Sequence, residues 1–119
     1  MFSYEKLDVY QKAVAVNKKI YGFLKGNSEI PRYAKDQLGR ACLSIMLNIA
    51  EGSAKFGDRD RRNFYVIARG STFECAALVS FLNSENEFPN ELFQELNATF
   101  EDISRILFAM IKNLENGKQ

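Results

Sequence analysis

PNELFQELNATFEDISRILFAMIKNLENG, residues 89–117, places Phe93, Leu96, Phe100, Ile103, Leu107, Met110 and Leu114 on alternating steps of three and four. That spacing is a heptad a/d line, the mark of a helix with one apolar seam. Pro89 with Glu91 just inside suits the helix start, and Asn116-Gly117 suits its end. In a chain of 119 residues, a 3.5-residue repeat points to left-handed, near-antiparallel bundle packing rather than to a long coiled coil.

The first segment repeats the theme with Leu7, Tyr10, Val14, Asn17, Tyr21 and Leu24, and a second apolar line, Val9, Ala13, Val16, Ile20 and Phe23, runs beside it. Gly26-Asn27-Ser28 ends this helix, and Pro31 opens the next at a position that needs no backbone donor. The second segment sets Leu38, Ala41, Cys42, Ile45, Asn48, Ile49 and Gly52 on one face. The third turns Phe64, Ile67, Ala68, Ser71, Cys75, Leu78 and Leu82 inward. Its later half, FECAALVSFL (residues 73–82), is apolar at eight of ten positions. A helix apolar nearly all round must be covered all round, and three partners of similar length do not cover it. The expected fold is an all-α, up-down-up-down antiparallel four-helix bundle. It is one domain over 1–119, with helices at about 5–25, 32–53, 59–84 and 89–115, and its surplus apolar surface meets further copies of the chain.

Composition narrows the function classes. Apolar content of 46% and charged content of 26% are ordinary for a globular domain. The charged start MFSYEKLDVYQK is no signal peptide, and no run approaches the ~18 apolar residues of a membrane span, so a cytoplasmic protein with no membrane partner is expected. Histidine is absent, which removes the commonest general base and the commonest transition-metal ligand together. The inward Glu and Glu-x-x-His pairs of a di-iron bundle cannot be assembled, and Cys42 and Cys75 read as buried free thiols. Gly57 is followed by Asp58-Arg59 rather than Lys-Ser/Thr, so the corner is no phosphate loop. Ser44 and Ser71 lack a base. Neither enzyme chemistry nor a metal or cofactor is expected.

Charge is unevenly spread: residues 1–69 carry 13 Lys/Arg against 7 Asp/Glu (+6), and residues 70–119 carry 3 against 8 (−5). Within LNIAEGSAKFGDRDRRNF (residues 47–64), Lys55, Arg59, Arg61 and Arg62 gather between the second and third helices. Phe56 and Tyr65 are there as candidate stacking groups. Cations interleaved with aromatic rings suit a phosphate backbone and unstacked bases, and Lys12, Lys18 and Lys19 of the first helix could extend the patch. A solvated turn with Asp58 or Asp60 as helix N-cap accounts for the same residues. An antiparallel hairpin about residue 56 makes facing positions sum to about 112. This sets Ala41 opposite Ser71 and Ser44 opposite Ala68, and predicts an Arg40–Glu74 ion pair within the chain or between subunits.

The stretches LDVYQKA (7–13), QLGRACLSIMLNIAEGSAK (37–55) and NFYVIARGSTFE (63–74) resemble the bacterial four-helix-bundle family named for proteins encoded in intervening sequences of 23S ribosomal RNA. Gln37, Arg40, Ala41, Ser44, Ile45, Asn48, Ile49, Ala50, Glu51 and Gly52 fall on its central pattern, and Phe64, Ile67, Ala68, Gly70, Ser71 and Glu74 on the next. The chain is also similar to the accessory protein of diversity-generating retroelements, a basic ring that binds nucleic acid and reverse transcriptase. The resemblance implies a cytoplasmic homopentameric ring without enzymatic activity, whose partners are itself, RNA or DNA, and a protein. This chain departs from the basic type in being nearly neutral, at +1. The nucleic-acid candidates are Lys18, Lys19, Lys55, Arg59, Arg61 and Arg62. The candidate assembly or structural residues are Arg40, Asn48, Glu51, Arg69, Phe73, Glu74 and Phe81. A ring that acts as a scaffold without nucleic acid is the alternative.

Overall fold

The computed structural model describes residues 1–117. Four helices follow one another: α1 (Asp8–Gly26), α2 (Arg32–Ser53), α3 (Asp58–Ser84) and α4 (Asn90–Glu115), preceded by a 3-10 turn at Ser3–Lys6. Short connections force antiparallel neighbours, and each helix packs against the next, with α1 closing against α4. The described residues thus form an all-helical up-down-up-down bundle about 46 Å long. The first helix starts later than expected, because Leu7 is extended and the chain before it coils as a 3-10 turn. Glu5 accepts a hydrogen bond from the Phe2 backbone N–H at 2.8 Å, and Tyr4 packs edge-on against Tyr10.

The helix ends follow their sequence signals with one correction. Pro31 and Pro89 stand as extended residues just outside α2 and α4. Gly57, not Asp58 or Asp60, caps α3, and both aspartates lie in its first turn, where their charge suits the positive helix end. α3 closes in a Schellman motif around Asn86 (φ 60°): the Asn86 N–H bonds Asn83 O at 3.0 Å and the Glu87 N–H bonds Leu82 O at 2.9 Å.

On α4 the buried residues are Leu96, Phe100, Ile103, Leu107, Ile111 and Leu114. Ile111 takes the place expected of Met110. A straight helix of 3.6 residues per turn drifts about 20° per heptad against a 3.5 repeat, so the buried stripe moves to later positions along the helix. On α1 the second apolar line (Val9, Ala13, Val16, Ile20) forms the core, and the heptad line through Val14, Tyr21 and Leu24 stays at the surface.

The larger correction is on α3. Its buried residues are Tyr65, Ala68, Ser71, Thr72, Cys75, Val79 and Leu82, while Phe64 and Leu78 are half-buried and Ile67 is 50% exposed. The helix is apolar on too many sides for periodicity to choose its inward face. The choice is made at Gly52: a Cβ built there would lie 2.7 Å from Tyr65 Cε1 and 3.1 Å from Phe64 Cβ. Tyr65 occupies the space that a side chain on α2 would need. One level further from the corner the Ser44 and Ser71 hydroxyls hydrogen-bond at 2.7 Å, and Asn48 Nδ2 donates to Ser44 O at 2.8 Å. Ser44 therefore meets Ser71 rather than Ala68.

Cys42 and Cys75 are buried and free. Hydrogen bonding to Cys42 first, and burial second, push the Cys75 thiol far above its ordinary range. The neutral thiol is the stable form in the fold. This contribution is fully present below the unfolded thiol pKa of about 8.5 and is lost as the pH rises past it, when only the unfolded chain ionises.

Urea denaturation and thiol labelling check this packing. Gly52→Ala should lower urea-measured stability by about 1–2 kcal/mol, the cost of displacing Tyr65 less the gain in helix propensity. Gly22→Ala, with no atom within 4 Å of its added Cβ, should raise stability by about 0.5–1 kcal/mol. A thiol reagent should modify neither cysteine in the native protein at neutral pH and both after unfolding, and the urea midpoint should fall with rising pH above about 8.5.

Candidate nucleic-acid corner and assembly face

The corner between α2 and α3 is built from backbone groups that the ending helix leaves unpaired. The Ala54 and Lys55 N–H groups bond Glu51 O and Gly52 O at 3.1 and 3.2 Å, and Gly57 O accepts from the Arg61 N–H at 3.0 Å. The Arg61 guanidinium donates through Nη2 to Lys55 O at 2.8 Å, strapping the turn from inside. Lys55 lies 3.6 Å from Glu51 and 5.0 Å above the Phe64 ring. Arg62 donates through Nε and Nη2 to one oxygen of Glu115, at 2.7 and 2.6 Å, tying the start of α3 to the end of α4. Hydrogen bonding from Arg62, with Lys112 nearby, holds the Glu115 carboxyl below the usual carboxylate range.

Four of the six expected cations are therefore at one corner, in different situations. Lys55, Arg61 and Arg62 hold the local structure together, whereas Arg59 is exposed and makes no ion pair or hydrogen bond among the described residues. Phe56 is fully exposed beside it, but the other expected stacking ring, Tyr65, is buried. Lys18 and Lys19 do not extend the patch. Their neighbour Asn17 donates to Cys42 O at 2.8 Å, a level roughly 16 Å along the axis from the end of α2 at 1.5 Å per residue. Lys19 pairs with Glu95 of α4.

A second surface runs along the outside of α3 and across α4. Phe73, Phe81 and Phe108 are 56%, 60% and 49% exposed, and Val66 and Ile67 continue the stripe toward the corner. Arg69 lies between two of these rings, its guanidinium carbon 4.8 Å from the Phe73 centroid and 5.2 Å from that of Phe108. Its Nε donates to Ser104 O at 3.2 Å, so the cation is fixed over the rings. Val66, Arg69, Gly70, Phe73 and Phe108 line a groove of about 540 Å³ between α3 and α4. Phe108 is absent from the sequence-derived set. Its signal was an aromatic residue just off an otherwise clean heptad line. α3 is long and apolar enough to cross a membrane by length and composition alone, and 33% of its most apolar 18-residue window is buried within the bundle.

The expected Arg40–Glu74 pair does not form within the chain. Gln37, Ser44 and Asn48 make up the side of α2 that meets α3, so Gln37 donates to Glu74. Arg40 lies on the next stripe, exposed with Leu43 and Leu47. Asn48 and Glu51 act within the chain, on Ser44 and Lys55. Among the described residues no three Cys, Asp or Glu side chains converge to hold a metal ion.

The fold and these surfaces define a class: an antiparallel four-helix bundle with a strapped basic corner and an aromatic face that none of the described residues covers. The chain belongs to the 23S rRNA-intervening sequence protein family, whose pattern matches residues 5–109. Its fold is similar to that of a protein of unknown function from the S23 ribosomal protein family of Bacteroides thetaiotaomicron, with a TM-score of 0.82 at 23% identity. That alignment covers 87% of this chain and 98% of the other. No curated protein matches the chain.

A carbon-detected NMR titration checks the strap at the end of α4. Glu115 should titrate below the ordinary glutamate value of about 4.3, and Arg62→Ala should return it to the usual range. The contribution of this pair to stability is present above the unfolded carboxyl pKa and is lost as the pH falls through the depressed folded value.

Proposed function

We propose that this protein is a non-enzymatic, self-assembling accessory factor of the cytoplasm. Copies of the bundle close into a ring, a pentamer by resemblance to its family, and present their basic corners to RNA or DNA. The observation that carries the assembly half is the α3–α4 face. Val66, Ile67, Phe73, Phe81 and Phe108 at about half exposure leave on the order of 500 Å² of apolar surface. The apolar part of a standard half-interface is about 450 Å². An Arg fixed between two phenyl rings is also the composition of an interface hot spot.

The nucleic-acid half rests on the corner. Arg59 is uncommitted, and the pairs of Lys55 and Arg62 are solvent-exposed surface ion pairs, weak enough for a phosphate to compete. A ring repeats the corner in every subunit, and each cation that reaches a phosphate releases counterions. The second reading is a scaffold without nucleic acid. It is favoured by how completely Lys19, Lys55, Arg61 and Arg62 are engaged within the chain.

Light scattering and labelled-oligonucleotide anisotropy test both halves. Wild-type protein should be oligomeric at micromolar concentration, and Phe73→Glu should yield a helical monomer. RNA or single-stranded DNA affinity should fall steeply between about 50 and 200 mM salt. Arg59→Glu should weaken binding and reduce the salt slope by about one with the oligomer intact. A monomeric wild type would remove the ring, and no binding at the lowest salt would leave the scaffold reading.

A further inference from the structure

Between α1 and α2, on the side of the bundle away from the aromatic face, a second groove of about 530 Å³ opens. We propose that it docks an acidic amphipathic helix of a partner protein. Two seams of helix spacing face each other across it. On α1 the wall is Val14, Asn17, Tyr21 and Leu24, part of the heptad line that lies at the edge of the core. On α2 it is Gly39, Leu43 and Met46, again on steps of four and three. Tyr21 is 68% exposed and Leu43 is 48% exposed, so these seams are open. Gly39 keeps the floor low, since its missing Cβ would meet only Leu24 Cδ1, at 3.7 Å. Paired a/d seams with a small residue between them are holes for the knobs of a further helix.

The rim gives the charge of the occupant. Lys18 and Lys25 on α1 and Lys35 on α2 border the groove, and Asp36 is the one acid among its lining residues. Lys18 and Lys35 have no ion pair among the described residues, and Lys25 rests over the Tyr21 ring, 5.3 Å from its centroid. Lys18 and Lys25 stand two turns apart, about 10.5 Å along the axis, the spacing of acids at i and i+7 on an apposed helix. Cations spread along the groove match a row of carboxylates better than the single head group of an acyl chain. A second copy is a poorer match in charge: the acidic α4 has its apolar stripe in its own core, and the aromatic face carries Arg62, Arg69 and Lys112 against the single acid Glu115.

The test uses the 119-residue protein, its mass in solution determined, and a labelled synthetic 18-residue helical peptide, with leucines at i, i+3, i+7 and i+10 flanked by glutamates. A second peptide carries lysine at every glutamate. Anisotropy should show the glutamate peptide binding at least tenfold more tightly than the lysine peptide. Lys18→Glu with Lys25→Glu and Lys35→Glu should reverse that preference, and Leu43→Glu should abolish binding while leaving the mass of the assembly unchanged. Equal binding of the two peptides would overturn the proposal. Displacement of the peptide by dodecanoate would assign the groove to an acyl carboxylate, and dissociation of the oligomer by Leu43→Glu would make it a subunit contact. Either result also overturns it.

Discussion

The missing side chain at Gly52 is the constraint on which the rest of the bundle depends. Tyr65 sits where a Cβ would be, which brings α2 and α3 close at their shared corner and fixes the rotation of α3 about its axis. Once Tyr65 points inward, Ala68, Thr72, Cys75, Val79 and Leu82 follow on steps of three and four. The Ser44–Ser71 hydrogen bond then sets the helices' height, pairing two part-buried hydroxyls with each other. The same rotation turns Ile67, Phe73 and Phe81 outward. The aromatic face is thus a consequence of the corner.

The cations divide by what lies within reach. At the corner, unpaired carbonyls and the carboxylates of Glu51 and Glu115 draw in Arg61, Lys55 and Arg62, so their charges stabilise the turn before any partner arrives. On the aromatic face Arg69 is immobilised by two rings and a carbonyl, which lowers the entropy it would lose on being covered. Around the α1–α2 groove the lysines find no acid except Asp36. The +6 charge of the first 69 residues therefore does not form one basic surface. Part of it is divided among these three places, and other cations, such as Lys12 beside Asp8 and Lys19 beside Glu95, are paired elsewhere.

The bundle and the number, order and approximate ends of its helices were legible in the chain, because α4 has a single apolar seam and Gly, Asn and Pro mark the connections. The corner cations were legible too, since nearness in sequence keeps Lys55, Arg59, Arg61 and Arg62 together. Lys18 and Lys19 could not be placed that way, as their distance from the corner depends on how far α1 runs along α2.

What the sequence by itself determined was therefore the all-helical, antiparallel bundle, since hydrophobic spacing and short loops admit few other arrangements. What only the tertiary structure decided was which of two apolar stripes faces inward on α1 and on α3. Both stripes repeat at helix spacing, so periodicity cannot separate them. The choice falls to steric fit at Gly52 on α3 and to the Asn17 contact with Cys42 on α1. That choice exposes Phe73 and Phe108 together around Arg69, leaves the heptad line of α1 open beside Leu43, and takes Arg40 away from Glu74.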